Sequence, residues 1–125
     1  MTTVNLTSAD FEATITEKPI VLVDFWASWC GPCRAFAPVY ERSAAQHPDI
    51  VHAKVDTQAE QQLAAALGIR SIPTVMAFRD GVLVYSQPGA MPPAMLANLI
   101  DQVKALDMDI VRADIANRTT ASGKR

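Results

Sequence analysis

The stretch Ile20-Val21-Leu22-Val23-Asp24-Phe25-Trp26 limits the fold more than any other part of the chain. It is almost continuously apolar and rich in β-branched residues, and it lacks the alternation of a half-solvated strand. It therefore suits a central strand covered on both faces, in the middle of a sheet layered between helices. Its one charged residue, Asp24, should have a raised pKa there, because burial disfavours the ionised carboxylate. A lone aspartate in such a run is either a satisfied buried polar residue or a group with chemistry to do. Two residues beyond the run comes Trp29-Cys30-Gly31-Pro32-Cys33.

The elements around this strand follow from periodicity and punctuation. Val4-Asn5-Leu6 reads as a short edge strand, and Thr7 with Asp10 as the capped start of a helix that ends before Lys18-Pro19. After the cysteines, Phe36, Val39, Tyr40 and Ala44 recur at helical spacing until His47-Pro48, with a kink expected at Pro38. Ile50 to Val55 reads as a second, parallel strand. Ala59 to Leu67 reads as an alanine-rich helix closed by Gly68 in the left-handed capping position.

The pattern then changes. Thr74–Phe78 and Val82–Tyr85 flank Arg79-Asp80-Gly81, and Asp-Gly is a strong hairpin signal, so these strands are expected to be antiparallel. Pro92-Pro93 opens a helix whose Leu96, Leu99, Ile100 and Val103 form a stripe suited to covering the sheet. Met108, Val111 and Ile115 mark a further amphipathic segment, read either as a helix packed on the domain or as an element for a partner. Thr119 to Arg125 reads as a disordered polar end. The result is a mixed sheet between helices.

Length and charge narrow the function. A chain of 125 residues, half of them apolar, makes one domain with a real core. No apolar run approaches the roughly 20 residues of a membrane span. Met1-Thr2-Thr3-Val4-Asn5 has no basic start leading into an apolar stretch, so no secretory leader is read and a cytoplasmic location is expected. A formal net charge of -2 without a basic block argues against nucleic acid as a partner. Two cysteines three positions apart would close too small a loop to staple the fold. A redox or metal role remains, and two thiolates fall short of the four ligands usual for structural zinc. Neither His47 nor His52 has ligand spacing, and both read as surface or packing residues, so no metal is expected.

Position gives the cysteines their chemistry. They follow a buried strand and open a helix, at the carboxyl end of the sheet where open α/β folds place their sites. Free amide donors and the helix dipole favour negative charge there, so Cys30 should ionise readily and act as nucleophile. Cys33, one turn on, is placed to resolve the mixed disulfide that Cys30 forms with a substrate. Gly31 lets a substrate backbone approach, whereas Pro32 fixes the turn and gives the thiolate no amide donor. A less stabilised dithiol favours a reductant over an oxidant. Trp29, beside Cys30, reads as a site residue, and Trp26 equally as a site or a packing residue.

The segment from Val23 to Arg34 resembles the signature of the thioredoxin family. Lys54-Val55-Asp56, Gly68-Ile69-Arg70-Ser71-Ile72-Pro73-Thr74 and Gly89-Ala90 follow at that family's spacings. The resemblance covers about residues 4 to 106. It implies an α/β thioredoxin fold: a mixed sheet of about five strands in the order βαβαβαββα, flanked by helices, with residues 1–106 as the domain. Residues 107–125 lie beyond the resemblance and read, from their own pattern, as a C-terminal extension with a short helix and then a disordered tail.

It also implies a monomeric protein-disulfide reductase cycling between the dithiol and a Cys30–Cys33 disulfide. Thioredoxin reductase would recharge it with electrons from NADPH through that enzyme's flavin, so no cofactor need bind this chain. By the same resemblance Asp24 helps deprotonate Cys33, Lys54 modulates Asp24, and Ile72-Pro73 is a cis-proline loop facing the dithiol. Trp29, Gly31, Pro32, Ile72, Pro73, Gly89 and Ala90 would line a shallow groove for disulfide-containing protein substrates. Arg34, Phe36 and Ser71 depart from the commonest residues of the family at positions near that groove. The rival readings are a disulfide oxidase or isomerase, and a redox-inert binding module.

Overall fold

The structure, a computed structural model, describes the backbone of residues 3–123 and the side chains of residues 3–118. In chain order its elements are β1 (Thr3–Asn5), α1 (Phe11–Glu17), β2 (Ile20–Trp26), α2 (Gly31–Gln46) and β3 (Val51–Asp56). They continue with α3 (Gln61–Ala66), β4 (Thr74–Arg79), β5 (Val82–Pro88), α4 (Pro93–Ala105) and α5 (Met108–Gly123). The strands form one sheet in the order β1-β3-β2-β4-β5. β3 runs parallel to both β1 and β2, whereas β4 is antiparallel to β2 and β5.

The apolar run is thus the middle strand, hydrogen-bonded on both sides, and Val21 to Phe25 are buried. Successive side chains of a strand point to opposite faces, which divides the core. Val21, Val23 and Phe25 pack with Phe11 of α1 and with Leu63 of α3. Leu22 packs with Phe36 and Tyr40 of α2 and with Leu96, Leu99, Ile100 and Val103 of α4. Each large side chain buried this way stabilises the fold by about 1.5–3 kcal/mol. Asp24 shares the parity of Leu22 and so lies on the face that α2 covers.

α2 is fastened to the sheet by polar groups as well. Tyr40 donates its hydroxyl hydrogen to the Ala53 carbonyl oxygen at 2.7 Å. His52, fully buried, has Nδ1 3.1 Å from the Ile50 carbonyl oxygen and Nε2 2.9 Å from Ser43 Oγ. A carbonyl can only accept, so Nδ1 carries the proton and the Ser43 hydroxyl donates to Nε2. Thr3 Oγ1 also donates to Glu41 Oε2 at 2.8 Å. Pro38 lies inside α2 without ending it.

Several boundaries differ from the sequence expectation, each for a local reason. Asp10 stands at the N-cap of α1, but its carboxylate accepts from the amide and hydroxyl of Thr7 instead of from the helix. α3 starts at Gln61, not Ala59, because Asp56 Oδ1 accepts the amides of Gln58 and Ala59 and holds them in a turn. β5 runs beyond Tyr85 to Pro88, since its pairing with β4 extends to Thr74 opposite Pro88. Asp80 and Gly81 take the positive φ values, 53° and 81°, that the tight hairpin turn needs.

Arg79 connects the hairpin to the end of α4. Its Nη1 donates to the carbonyl oxygens of Val103, Lys104 and Leu106 at 2.7, 3.2 and 3.2 Å. Beyond this point α5 is seated by the buried Met108 and by Arg112, whose Nη2 lies 3.4 Å from Asp80 Oδ2. Ile110 and Ile115 remain exposed. The helix continues to Gly123, past Thr119 where a disordered end was expected, and the segment contains no glycine or proline before Gly123 to stop it. The rest of that expected end, Lys124 and Arg125, lies outside the described residues, as do Met1 and Thr2. Among the described residues no helix is long and apolar enough to cross a membrane.

Candidate active site

β2 ends at Trp26, and three loop residues carry the chain to Cys30, the N-cap of α2. Cys30 has extended backbone, and Pro32 occupies the first turn, where a missing amide hydrogen costs the helix nothing. Cys30 and Cys33 are joined by a disulfide, with their Cα atoms 5.2 Å apart. The Cys33 amide donates to Cys30 Sγ at 3.1 Å, so the sulfur takes the place of a capping oxygen. Such a donor, together with the helix terminus, favours a thiolate at Cys30 once the bond is reduced.

The loop before β4 closes over this sulfur. The Ile72-Pro73 peptide bond is cis, and the Ile72 carbonyl oxygen lies 3.8 Å from Cys30 Sγ. The Gly89 amide donates to the Pro73 carbonyl oxygen at 2.8 Å, which draws the Gly89-Ala90 segment to the same place. Gly89 has φ of +106°, a conformation that side chains disfavour. Trp29 is 63% exposed beside the sulfurs, and Gly31, Pro32, Gly89 and Ala90 are exposed as well. A Cβ added at Gly31 would meet nothing within 4 Å, so packing within the chain does not demand glycine there.

Below the sulfurs the site is buried. Cys30 and Cys33 cluster with Ala27, Trp26 and Ile72. Asp24 is 1% exposed, and neither carboxylate oxygen has a hydrogen-bond partner among the described residues. Burial pushes its pKa up from 3.8 to about 7, against the opposing pull of the Lys54 ammonium. Lys54 is the register partner of Asp24 on β3, and its Nζ lies 4.9 Å from the centroid of the Trp26 ring. The indole Nε1 of Trp26 is buried without a hydrogen-bond partner among the described residues. Trp26 thus touches both the lysine and the cysteine cluster. Its only sequence signal was its place at the end of the central strand.

A closed Cys-Gly-Pro-Cys disulfide at a helix N-terminus, on a mixed sheet and faced by a cis-proline loop, defines a thiol-disulfide oxidoreductase. The family model for thioredoxin matches residues 2–102. The chain belongs to the thioredoxin family, and its activity is that of a protein-disulfide reductase. It is 51% identical to putative thioredoxin 2 of Streptomyces coelicolor, over 97% of this chain and 90% of that protein. It is 48% identical to thioredoxin 1 of Synechococcus elongatus, over 78% of this chain and 92% of the other. Among solved structures it superimposes on a point mutant of Halobacterium salinarum thioredoxin with a TM-score of 0.77 at 34% identity, covering 83% of this chain and 92% of that one. The Streptomyces match takes in most of α5, which lies beyond the residues matched by the family model.

Proposed function

We propose that Cys30 is the attacking sulfur and Cys33 the resolving one. The observation that carries this reading is the Cys33 amide pointing at Cys30 Sγ from within the first turn of α2. In the reduced protein the Cys30 thiolate attacks one sulfur of a substrate disulfide, forming a mixed disulfide and releasing the first substrate thiolate. Cys33 then gives up its proton and attacks Cys30 Sγ, which closes the Cys30–Cys33 bond and releases the second thiolate. Two electrons pass from the dithiol to the substrate.

Asp24 takes the Cys33 proton. A carboxylate whose pKa is about 7 exchanges protons at neutral pH with little driving force either way, as a proton acceptor in this step requires. Lys54 tunes it, because the ammonium favours the ionised form. Trp29, Gly31, Pro32, Ile72, Pro73, Gly89 and Ala90 form the substrate groove, where small or flat surfaces accept varied backbones. Recharging falls to thioredoxin reductase, with electrons from NADPH through the flavin of that enzyme. The chain itself binds no cofactor and acts as a monomer in the cytoplasm. Residues 1–106 form the redox unit, and 107–125 an extension that carries α5 (Met108–Gly123).

The test couples the full chain to thioredoxin reductase, NADPH and a disulfide-bonded protein. Wild type consumes NADPH, Cys30→Ser is inert, and Cys33→Ser accumulates a mixed disulfide. Absence of NADPH consumption by wild type across several reductases would overturn the recycling scheme, and mixed disulfides trapped on Cys33 in Cys30→Ser would reverse the assignment of the sulfurs.

A further inference from the structure

A small pocket opens beside the cis-proline loop, lined by Arg70, Ser71, Thr74, Ser86 and Pro88 among others, with a volume of about 170 Å³. Its lining mixes apolar Leu67, Ile69 and Pro88 with polar side chains, and Arg70 is the charged residue among them. The Arg70 guanidinium is exposed and makes neither an ion pair nor a hydrogen bond with the described residues, and the hydroxyls of Ser71 and Ser86 are likewise unengaged. Thr74 instead spends its hydroxyl on the Ser71 carbonyl at 2.6 Å, which fixes the pocket wall to the strand. The family resemblance singled out Ser71 as a departure, and the structure puts it on this wall.

Two carboxylates at this end of the sheet are already engaged. Asp56 ends β3, which flanks β2 opposite β4, and its Oδ1 is occupied by the amides of Gln58 and Ala59. Glu60 Oε1 accepts from Ser8. On the flank where the groove runs, from Cys30 past Ile72 to Gly89, Arg70 is thus a cation without a local counter-charge. Arg34 adds a second at the start of α2, with Nη1 donating to the Ser28 carbonyl oxygen at 2.8 Å.

We propose that this pocket is a subsite for an acidic side chain of the disulfide substrate, taken by Arg70 with the Ser71 and Ser86 hydroxyls as further donors. The inference rests on the groove and the sulfur roles described above. Ser71 adjoins Ile72, whose carbonyl oxygen is 3.8 Å from Cys30 Sγ, and with consecutive Cα atoms about 3.8 Å apart the pocket lies on the order of 10 Å from the reacting sulfur. An extended chain advances about 3.4 Å per residue, which places the acid about three residues from the substrate cysteine. A guanidinium and a carboxylate meeting at a solvent-exposed site change a rate by up to about fivefold.

The experiment uses the reduced full-length protein and disulfide-bridged peptides that differ only in carrying Glu, Gln or Lys two to four residues from the target cysteine, on either side. The rate of oxidation of the protein dithiol is followed by tryptophan fluorescence. At low salt the best-placed Glu peptide reacts up to about fivefold faster than its Gln counterpart, and Lys is slower than Gln. The advantage shrinks at high salt. In Arg70→Gln the Glu-to-Gln ratio falls to about one, in Arg70→Lys part of it returns, and Ser71→Gly gives an intermediate ratio. Equal Glu and Gln rates at every position, or an advantage that survives Arg70→Gln, would overturn the subsite while leaving the reductase reading intact. No reaction with any peptide would overturn the reductase reading and the subsite with it.

Discussion

Asp24→Asn should make the protein more stable and less competent at resolving mixed disulfides, and the structure fixes how the gain depends on pH. The carboxyl is 1% exposed and has no hydrogen-bond partner among the described residues, and burial raises its pKa from 3.8 to about 7. A tenfold difference in proton affinity corresponds to about 1.4 kcal/mol. The gap between the two values is therefore worth about 4 kcal/mol. Its sign follows from which state holds the proton. Below pH 3.8 both states are protonated and the group contributes no pH dependence. Between 3.8 and about 7 the unfolded chain has lost the proton while the folded one keeps it, so stability falls as pH rises, and above about 7 the loss is complete.

An asparagine cannot ionise, and its amide stands in for the neutral acid. The difference between variant and wild type in urea unfolding of the oxidised protein should thus be near zero at pH 4 and grow by about 1.4 kcal/mol per pH unit. It should level off at about 4 kcal/mol above pH 7. Resolution of a mixed disulfide by Cys33, measured by stopped flow at pH 7, should slow in the same variant. A stability difference that does not change from pH 4 to pH 9 would refute the buried-carboxylate argument, and an unchanged resolution rate would refute the proton-transfer role.

Four other expectations bear on the scaffold. Ser43→Ala leaves His52 Nε2 buried without its donor and should cost about 1–3 kcal/mol at pH 7 by urea titration. Burial holds the His52 imidazole below its usual 6.5, so its contribution is complete above pH 6.5 and declines as pH falls below it; His52→Phe should lessen the acid sensitivity of unfolding in that range. Arg79→Ala frees three carbonyls at the end of α4 and should lower stability by about 1–3 kcal/mol, read as a reduced Tm. Removing residues 107–125 uncovers the seat of Met108 and should cost about 1.5–3 kcal/mol, whereas unchanged stability would mean that α5 is not packed on the domain.

The parts of this fold legible in the sequence are those where one residue type has one physical use. The β-branched run of β2, the Asp80-Gly81 turn and Gly68 at φ +71° each announce themselves. So does the Cys-Gly-Pro-Cys segment, because a strand end followed by a proline-bearing first turn leaves few places for the sulfurs to go. What stayed hidden depends on side chains meeting across long separations. Nothing near Arg79 reveals that its guanidinium will serve carbonyls of Val103 and Leu106, and nothing near Ser43 reveals His52. Strand β5 reaches Pro88 through backbone pairing with β4, which residue preference does not encode. The Arg70 pocket was invisible for the same reason, since Ser86 joins it only after the hairpin folds back.

The ties on α2 have a kinetic consequence. Tyr40, Glu41 and Ser43 hold the helix to β3 and β1 from one side, so the element that carries the first turn is anchored to the sheet. In the proposed cycle, when a substrate is covalently attached at Cys30, the second sulfur does not have to be found. It is already within one turn, on the same rigid rod, and the approach needs little more than rotation about side-chain bonds. The resolving step is therefore unimolecular, with an effective concentration of thiol far above any that free thiols reach in solution. A substrate held on this helix is released on the protein's own clock, independent of how much reductant surrounds it.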